Sequence, residues 1–262
     1  SWGPRSLEEL KEETLRRAQH GEGPIGVVKM EDAERAVAAL HDLERDTWAN
    51  AWADIGREYL VRAKAASSPE EARENYYYAW RYFDVGRWPT EKHSDGKRVS
   101  YEAGVAAFRE YGLLLDPPVE TVRIPFEGKE IVAYLRLPDG VRPSPLVFGM
   151  NGLDSRKEGV MAGSDAYIQN GIAAFAIDMP GTGQAPLLID VGSERMLSAA
   201  LDYLVTRPEI DASRIVVQGR SWSGYWAAVM AYTERDRILG AAVHGVGIHH
   251  YYQPEWQTSA VK

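Results

Sequence analysis

Ser221 is the residue of this chain whose setting best suits covalent chemistry. It lies in residues 215–230, Ile-Val-Val-Gln-Gly-Arg-Ser-Trp-Ser-Gly-Tyr-Trp-Ala-Ala-Val-Met, where an apolar strand pattern enters a tight turn and leaves as a helix pattern. Such a turn lifts a serine hydroxyl above the carboxyl end of a sheet, ready to attack a carbonyl carbon, and needs small residues where strand and helix pass closely. Gly219 and Gly224 provide that room. The usual spacing is G-x-S-x-G; here Ser223 stands where the second glycine is expected and the glycine follows one later, a variant that keeps the position small. The same run also reads as an ordinary helix start with Ser221 or Ser223 as its N-cap. From these residues alone both readings stay open.

His249 and His250 are the second candidate, because they follow an apolar strand pattern at its carboxyl end, the face where parallel sheets bind ligands. They are expected either to line a pocket or, more plainly, to be solvent-exposed or capping residues. No acid or further histidine stands at ligand spacing with them, so no metal site is expected, and no cofactor. Cysteine is absent, which excludes disulfides, zinc-thiolate sites and a cysteine nucleophile.

A chain of 262 residues is ample for one large α/β domain, or for such a domain with a helical appendage. The net charge of -8 is spread over mixed-sign segments with no basic stripe, which argues against nucleic acid as a partner. No stretch is apolar enough to cross a bilayer and no leader opens the sequence, so a soluble, cytoplasmic protein without a membrane partner is expected. Eight tryptophans and fourteen tyrosines exceed what a plain scaffold needs, and either line an aromatic pocket or fill gaps between helices.

Residues 6–19 carry an amphipathic pattern opened by Ser6 with Glu9 three positions on, a capping box. Residues 31–66 predict a helical run bent or interrupted at 49–54. Ser68-Pro69 starts the next helix, which ends at 86–89, and a further helix covers 95–114. From Val119 the apolar period shortens to two. Residues 122–137 predict a hairpin, and apolar runs at 145–150, 172–177, 215–217 and 238–246 alternate with helices at 157–169, 191–206 and 222–232. Alternation of this kind implies a mostly parallel sheet with helices on both faces. The expected division is a helical, cap-like region at 1–117 and an α/β region at 118–262.

Three motifs then stand in the order of an α/β-hydrolase. Asn151-Gly152-Leu153-Asp154-Ser155 follows the first buried strand, Asp178-Met179-Pro180-Gly181-Thr182-Gly183 follows the second, and the serine turn follows the third. The match is closer to one branch: residues 152–158, Gly-Leu-Asp-Ser-Arg-Lys-Glu, the Gly219-Arg220-Ser221 run and the tyrosine-rich helical segment resemble the group containing the fermentation-respiration switch protein and dihydropseudooxynicotine hydrolase. The resemblance covers most of the chain and is specific in its second half.

That resemblance implies an α/β-hydrolase fold behind a helical region that packs over the active site. It implies Ser221 as the nucleophile of a covalent mechanism, with an oxyanion hole made by the backbone N–H groups of Trp222 and of Gly152 or Leu153. The Trp222 side chain is expected to pack in the core. Asp154 and Asp178 are expected in structural roles, as loop and turn residues, and Arg220 either to orient neighbouring loops or to be solvated at the elbow. The fold orders its triad as serine, acid, histidine. Glu234 and Asp236 fall at the far end of the helix leaving the turn, so the expectation is a sheet lacking its last strands, with the acid and histidine beyond Lys262. Two functions follow: a serine hydrolase acting on an ester, or on a carbon–carbon bond next to a ketone, in a small molecule; or a catalytically inactive relative that binds or regulates. Homodimerisation through the aromatic helical region is a further expectation.

Overall fold

The computed structural model describes residues 6–140, 142–247 and 253–256. The chain divides into two compact units, Ser1–Leu115 and Asp116–Lys262.

The first unit is helical: α1 (Leu7–His20), α2 (Met30–Ala39), α3 (Arg45–Ala65), α4 (Pro69–Arg87), a short 3-10 turn at Glu91–His93, and α5 (Asp95–Leu113). Its starts follow the capping signals. Ser6 Oγ accepts the Glu9 N–H at 3.2 Å while Glu9 Oε2 accepts the Ser6 N–H at 2.8 Å, and Ser68 Oγ accepts the Glu71 N–H with Pro69 in the first turn.

The expected interruption at 49–54 is absent; α3 runs straight through it, and the real break lies between α2 and α3, where Asp42 Oδ1 accepts the Glu44 N–H at 2.9 Å. Ala49, Ala51, Trp52 and Ala53 are all buried. A helix covered nearly all round by its neighbours loses its apolar stripe without losing its backbone bonds. Most of the aromatic surplus packs in this unit: Trp52, Tyr59, Tyr82, Phe83 and Phe108 are fully buried, and the Tyr59 and Tyr82 hydroxyls both donate to the buried Asp32 carboxylate, at 2.7 and 2.5 Å.

The second unit contains β1 (Glu120–Phe126), β2 (Lys129–Arg136), β3 (Ser144–Met150), α6 (Lys157–Ala162), α7 (Asp165–Gln169), β4 (Ala173–Ile177), α8 (Arg195–Val205), β5 (Ile210–Arg220), α9 (Trp222–Thr233) and β6 (Gly240–His244). The sheet order is β1-β2-β4-β3-β5-β6. The β1/β2 and β2/β4 pairs are antiparallel and the rest parallel. Leu146, Phe148 and Met150 alternate into a core shared with α8 and α9, while Val147 and Gly149 face the α6–α7 side. Helices therefore cover both faces. A Cβ at Gly149 would come within 2.7 Å of Val160 Cγ1, so a glycine lets α6 sit close on β3.

The single helix expected at 157–169 is two short ones, parted at Gly163-Ser164. β5 begins earlier than its apolar run, with an irregularity between the Ser144 and Leu146 registers. Registers fix what matters for the site. Met150 pairs with both Ile177 and Gly219, and Arg220 with His244, so β3, β4, β5 and β6 end level and release their loops along one edge.

Candidate active site

Ser221 joins β5 to α9 at φ 59° and ψ -131°. A side chain at positive φ is strained, by roughly 1–3 kcal/mol, and persists only where neighbours over-determine it. Those neighbours are identifiable. The Ser221 N–H donates to the His244 carbonyl at 2.8 Å and the Ser221 carbonyl accepts the Gly224 N–H at 2.8 Å. A Cβ at Gly219 would lie 2.0 Å from the Ser223 carbonyl oxygen, so only glycine permits strand and helix to pass there.

The hydroxyls decide between the two readings of the turn. Ser221 Oγ makes no capping bond and the residue is exposed. Ser223 is buried, and its Oγ accepts the Arg220 N–H at 2.9 Å while reaching the Met150 carbonyl at 3.1 Å. The turn is an elbow that projects Ser221, not a side-chain cap. The Trp222 ring packs against the core of the sheet.

The loop after β3 runs beside the elbow: a Cβ at Gly152 would lie 3.6 Å from Ser221 Cβ. Asn151, buried, holds this loop. Its Nδ2 donates among the carbonyls of Gly152 and Ser155 and Thr182 Oγ1, and its Oδ1 accepts the Met179 N–H at 3.1 Å, tying the loop after β3 to the loop after β4. The Gly152 N–H is committed to Ser155 Oγ at 2.9 Å. Leu153 is half exposed, and among the described residues its N–H has no acceptor.

Beneath these loops lies a buried ionic cluster. Lys157 Nζ donates to Asp178 Oδ2 at 2.8 Å and Gln184 Oε1 at 2.9 Å, and stands 3.1 Å from Glu158 Oε1. Asp178 also accepts the backbone N–H groups of Lys157 and Gln184, both at 3.0 Å, and Tyr134 OH donates to Glu158. Burial pushes the Asp178 carboxyl up, but the Lys157 ammonium outweighs it and holds Asp178 below the ordinary carboxylate range. For Glu158 burial prevails over Lys157, and its pKa is raised. Asp178 is thus the structural turn residue the sequence suggests, with a partner, Lys157, that sequence reasoning missed. The available signal was an adjacent Lys-Glu pair opening an otherwise apolar helix.

The structure brings Ser221, Trp222, Gly152 and Leu153 together at the level ends of β3 and β5. Glu234 is elsewhere: it ends the 12-residue α9, about 18 Å long, and accepts from Ser198 and Arg237. Asp236 is exposed beside Arg235. His249 and His250 lie outside the described residues. Among the described residues the Ser221 hydroxyl makes no hydrogen bond, and no cluster of ionisable residues could hold a metal.

AbyA5, a solved structure, matches with a TM-score of 0.74 at 23% identity, covering 97% of this chain and 67% of its own. The 2,6-dihydroxy-pseudo-oxynicotine hydrolase matches with a TM-score of 0.68 at 25% identity, covering 78% and 58%. These likenesses and the strand order make the second unit an α/β-hydrolase fold. Esterase FrsA of Vibrio vulnificus (strain YJ016) is 27% identical over 209 residues, 77% of this chain and 49% of the relative. Esterase FrsA of Citrobacter koseri is 24% identical over 233 residues, 85% and 55%. The chain therefore spans about half the length of the curated relatives it matches. The Esterase FrsA-like family model matches residues 27–261, and on that match, together with the elbow and the sheet that carries it, the chain belongs to the FrsA-like esterase family.

Proposed function

We propose that this chain supplies the nucleophile and the oxyanion hole of a serine hydrolase that cleaves an ester in a small, partly apolar molecule. One observation carries the reading: Ser221 is held at positive φ with an exposed, uncommitted hydroxyl beside the Gly152–Leu153 loop. In the proposed reaction Ser221 Oγ bonds to the carbonyl carbon as a histidine takes its proton. The carbonyl electron pair moves to oxygen, and its collapse expels the alcohol, which takes the proton from the histidine. Water then cleaves the acyl-enzyme by the same route and frees Ser221.

The oxyanion donors belong to the same proposal. Because the Gly152 N–H is occupied by Ser155 Oγ, the donors are assigned to Leu153 and to Trp222, the first residue of α9. Each such donor is worth about 3 kcal/mol in the transition state. The histidine and its acid are assigned to none of the described residues, since Ser221 Oγ has no partner there and Glu234 is engaged at the far end of α9. The family description favours an ester. Likeness to a pseudo-oxynicotine hydrolase supports a bond next to a ketone as the alternative target of the same acyl-enzyme. The substrate in this reading is a small molecule; no described helix is long and apolar enough to cross a membrane.

The test is fluorophosphonate labelling of the full protein with the labelled peptide mapped, alongside hydrolysis of p-nitrophenyl esters. Label on Ser221, lost with ester hydrolysis in Ser221→Ala, is the expected result. A folded protein that takes no label at Ser221 overturns the proposal in favour of a non-catalytic binding relative.

A further inference from the structure

The helical unit holds a cavity of about 180 Å³ that the proposed chemistry at Ser221 does not use. Its walls include Trp48, Trp88, Leu40 and Leu43, and its charged lining is mixed, Lys97 and Arg45 with Asp42 and Glu44. For scale, an apolar cavity of about 150 Å³ admits a benzene molecule. The space suits one aromatic ring with a short substituent.

Lys97 gives the cavity its chemistry. The side chain is buried, on the first turn of α5, and its ammonium donates to a single partner among the described residues, the Trp88 carbonyl. An ammonium carries three N–H donors, so two are left without a protein acceptor among the described residues, facing the cavity that a ligand could enter. Among the described residues no carboxylate stands within ion-pair distance of it. Burial, then Arg45 and Arg87, push its pKa down to about 8, with Asp46 opposing. Of the two acids in the lining, Asp42 is turned to its own loop: it accepts the Glu44 N–H, and its carboxyl is held down by Thr47 and that N–H. An anion entering beside Lys97 supplies acceptors to its remaining donors and a charge opposite to those of Lys97 and Arg45, while the indoles take a flat ring by stacking.

The geometry points to a binding site for a small aryl carboxylate in the helical unit, with the carboxylate on Lys97 and Arg45 and the ring between Trp48 and Trp88. This site is independent of whether Ser221 is catalytic. The ligand class follows from the walls: an aliphatic acid forgoes the indoles, and a neutral aromatic leaves the Lys97 donors unmatched.

Calorimetric titration of the full protein with phenylacetate, and with 2-phenylethanol as the uncharged analogue, tests it. Saturable binding of phenylacetate is expected, with 2-phenylethanol weaker by about tenfold or more, as charge-assisted hydrogen bonds imply. Lys97→Met should cause a similar loss. Because that change alters a buried position, Leu43, half exposed at the cavity, provides a second variant pair: Leu43→Glu should weaken phenylacetate by repulsion, and Leu43→Gln should leave it nearly unchanged. No saturable binding, equal affinity for the two probes, or equal affinity of the two Leu43 variants overturns the proposal.

Discussion

Ser223 Oγ lies 3.1 Å from the carbonyl oxygen of Met150, the last residue of β3, while accepting the N–H of Arg220. One hydroxyl, its proton shared between the Met150 carbonyl and the Arg220 carbonyl at 2.9 Å, thus helps fasten the turn that carries Ser221 to the strand that releases the Asn151–Leu153 loop. Where the common spacing has a glycine and leaves the two elements to pack, this chain bonds them.

Ser223→Ala removes that fastener and leaves a buried N–H and a buried carbonyl with one partner fewer. A loss of about 1–2 kcal/mol in stability is expected. The rate of fluorophosphonate labelling at Ser221 should fall with it, because the nucleophile and the Leu153 N–H lose their common anchor. Urea unfolding and labelling kinetics measure both; an unchanged labelling rate would show that packing alone sets the geometry.

Strain at Ser221 makes an opposite pair of variants informative. Glycine adopts φ 59° freely whereas alanine does not. Ser221→Gly should therefore be about 1 kcal/mol more stable than Ser221→Ala, after allowing for the extra chain entropy of glycine. Thermal unfolding of the two inactive proteins checks this, and equal midpoints would mean that the turn relaxes on losing the hydroxyl.

Two glycines should respond to alanine in contrary ways. At Gly219 the new methyl would meet the Ser223 carbonyl at 2.0 Å, and at Gly159, inside α6, it would meet nothing within 4 Å. Gly219→Ala should cost ~3 kcal/mol or more through backbone displacement. Gly159→Ala should stabilise by about 0.5–1 kcal/mol, as a helix interior prefers. Denaturant midpoints decide.

Lys157→Met strands two buried carboxyls, Asp178 and Glu158, and a cost of roughly 3–5 kcal/mol is expected. The pH dependence has a definite sign. In the native protein Asp178 is depressed, so its contribution is present above the ordinary carboxylate range and lost as pH falls through its folded value. Without Lys157 burial raises both carboxyls, so their protonation relieves the variant as pH falls. The gap between native and variant proteins should shrink from about pH 8 to about pH 5. A gap that widens on acidification contradicts the pairing.

Lys97 gives the reverse profile. Its ordinary pKa of 10.5 is lowered to about 8 in the fold, by burial and then by Arg45 and Arg87, with Asp46 opposing. Between those values the unfolded chain holds more protons than the folded one, so the Lys97 contribution to stability rises with pH across that window. Phenylacetate affinity should fall over the same interval as the ammonium discharges. Titration of binding and of thermal midpoint in wild type and Lys97→Met isolates the effect.

The elbow was legible because its constraint is local: Gly219, Ser221 and Gly224 mark where a strand must turn sharply into a helix. The level strand ends were legible through alternation of strand and helix patterns. What escaped was set by side-chain contacts that residue types do not announce, most of them distant in sequence. The α2–α3 break depends on the Asp42 side chain bonding the Glu44 N–H, with neither glycine nor proline to announce it. The Ala49–Ala53 stretch looked broken because its neighbours bury it on several sides. Lys157 and Asp178 stand 21 positions apart, and only the fold shows that they share a buried site.

Asn151 precedes Gly152, the pairing in which asparagine side chains most readily cyclise onto the next backbone nitrogen and age to aspartate. Here both ends of that reaction are held: the carboxamide is buried and bonded through its nitrogen and its oxygen, and the Gly152 N–H points to Ser155 Oγ. The network that shapes the loop beside Ser221 thus also shields this Asn-Gly pair, unlike the exposed Asn170 before Gly171. Deamidation at this position should be a record of unfolding, accumulating in samples that have opened and remaining scarce in those that have stayed folded.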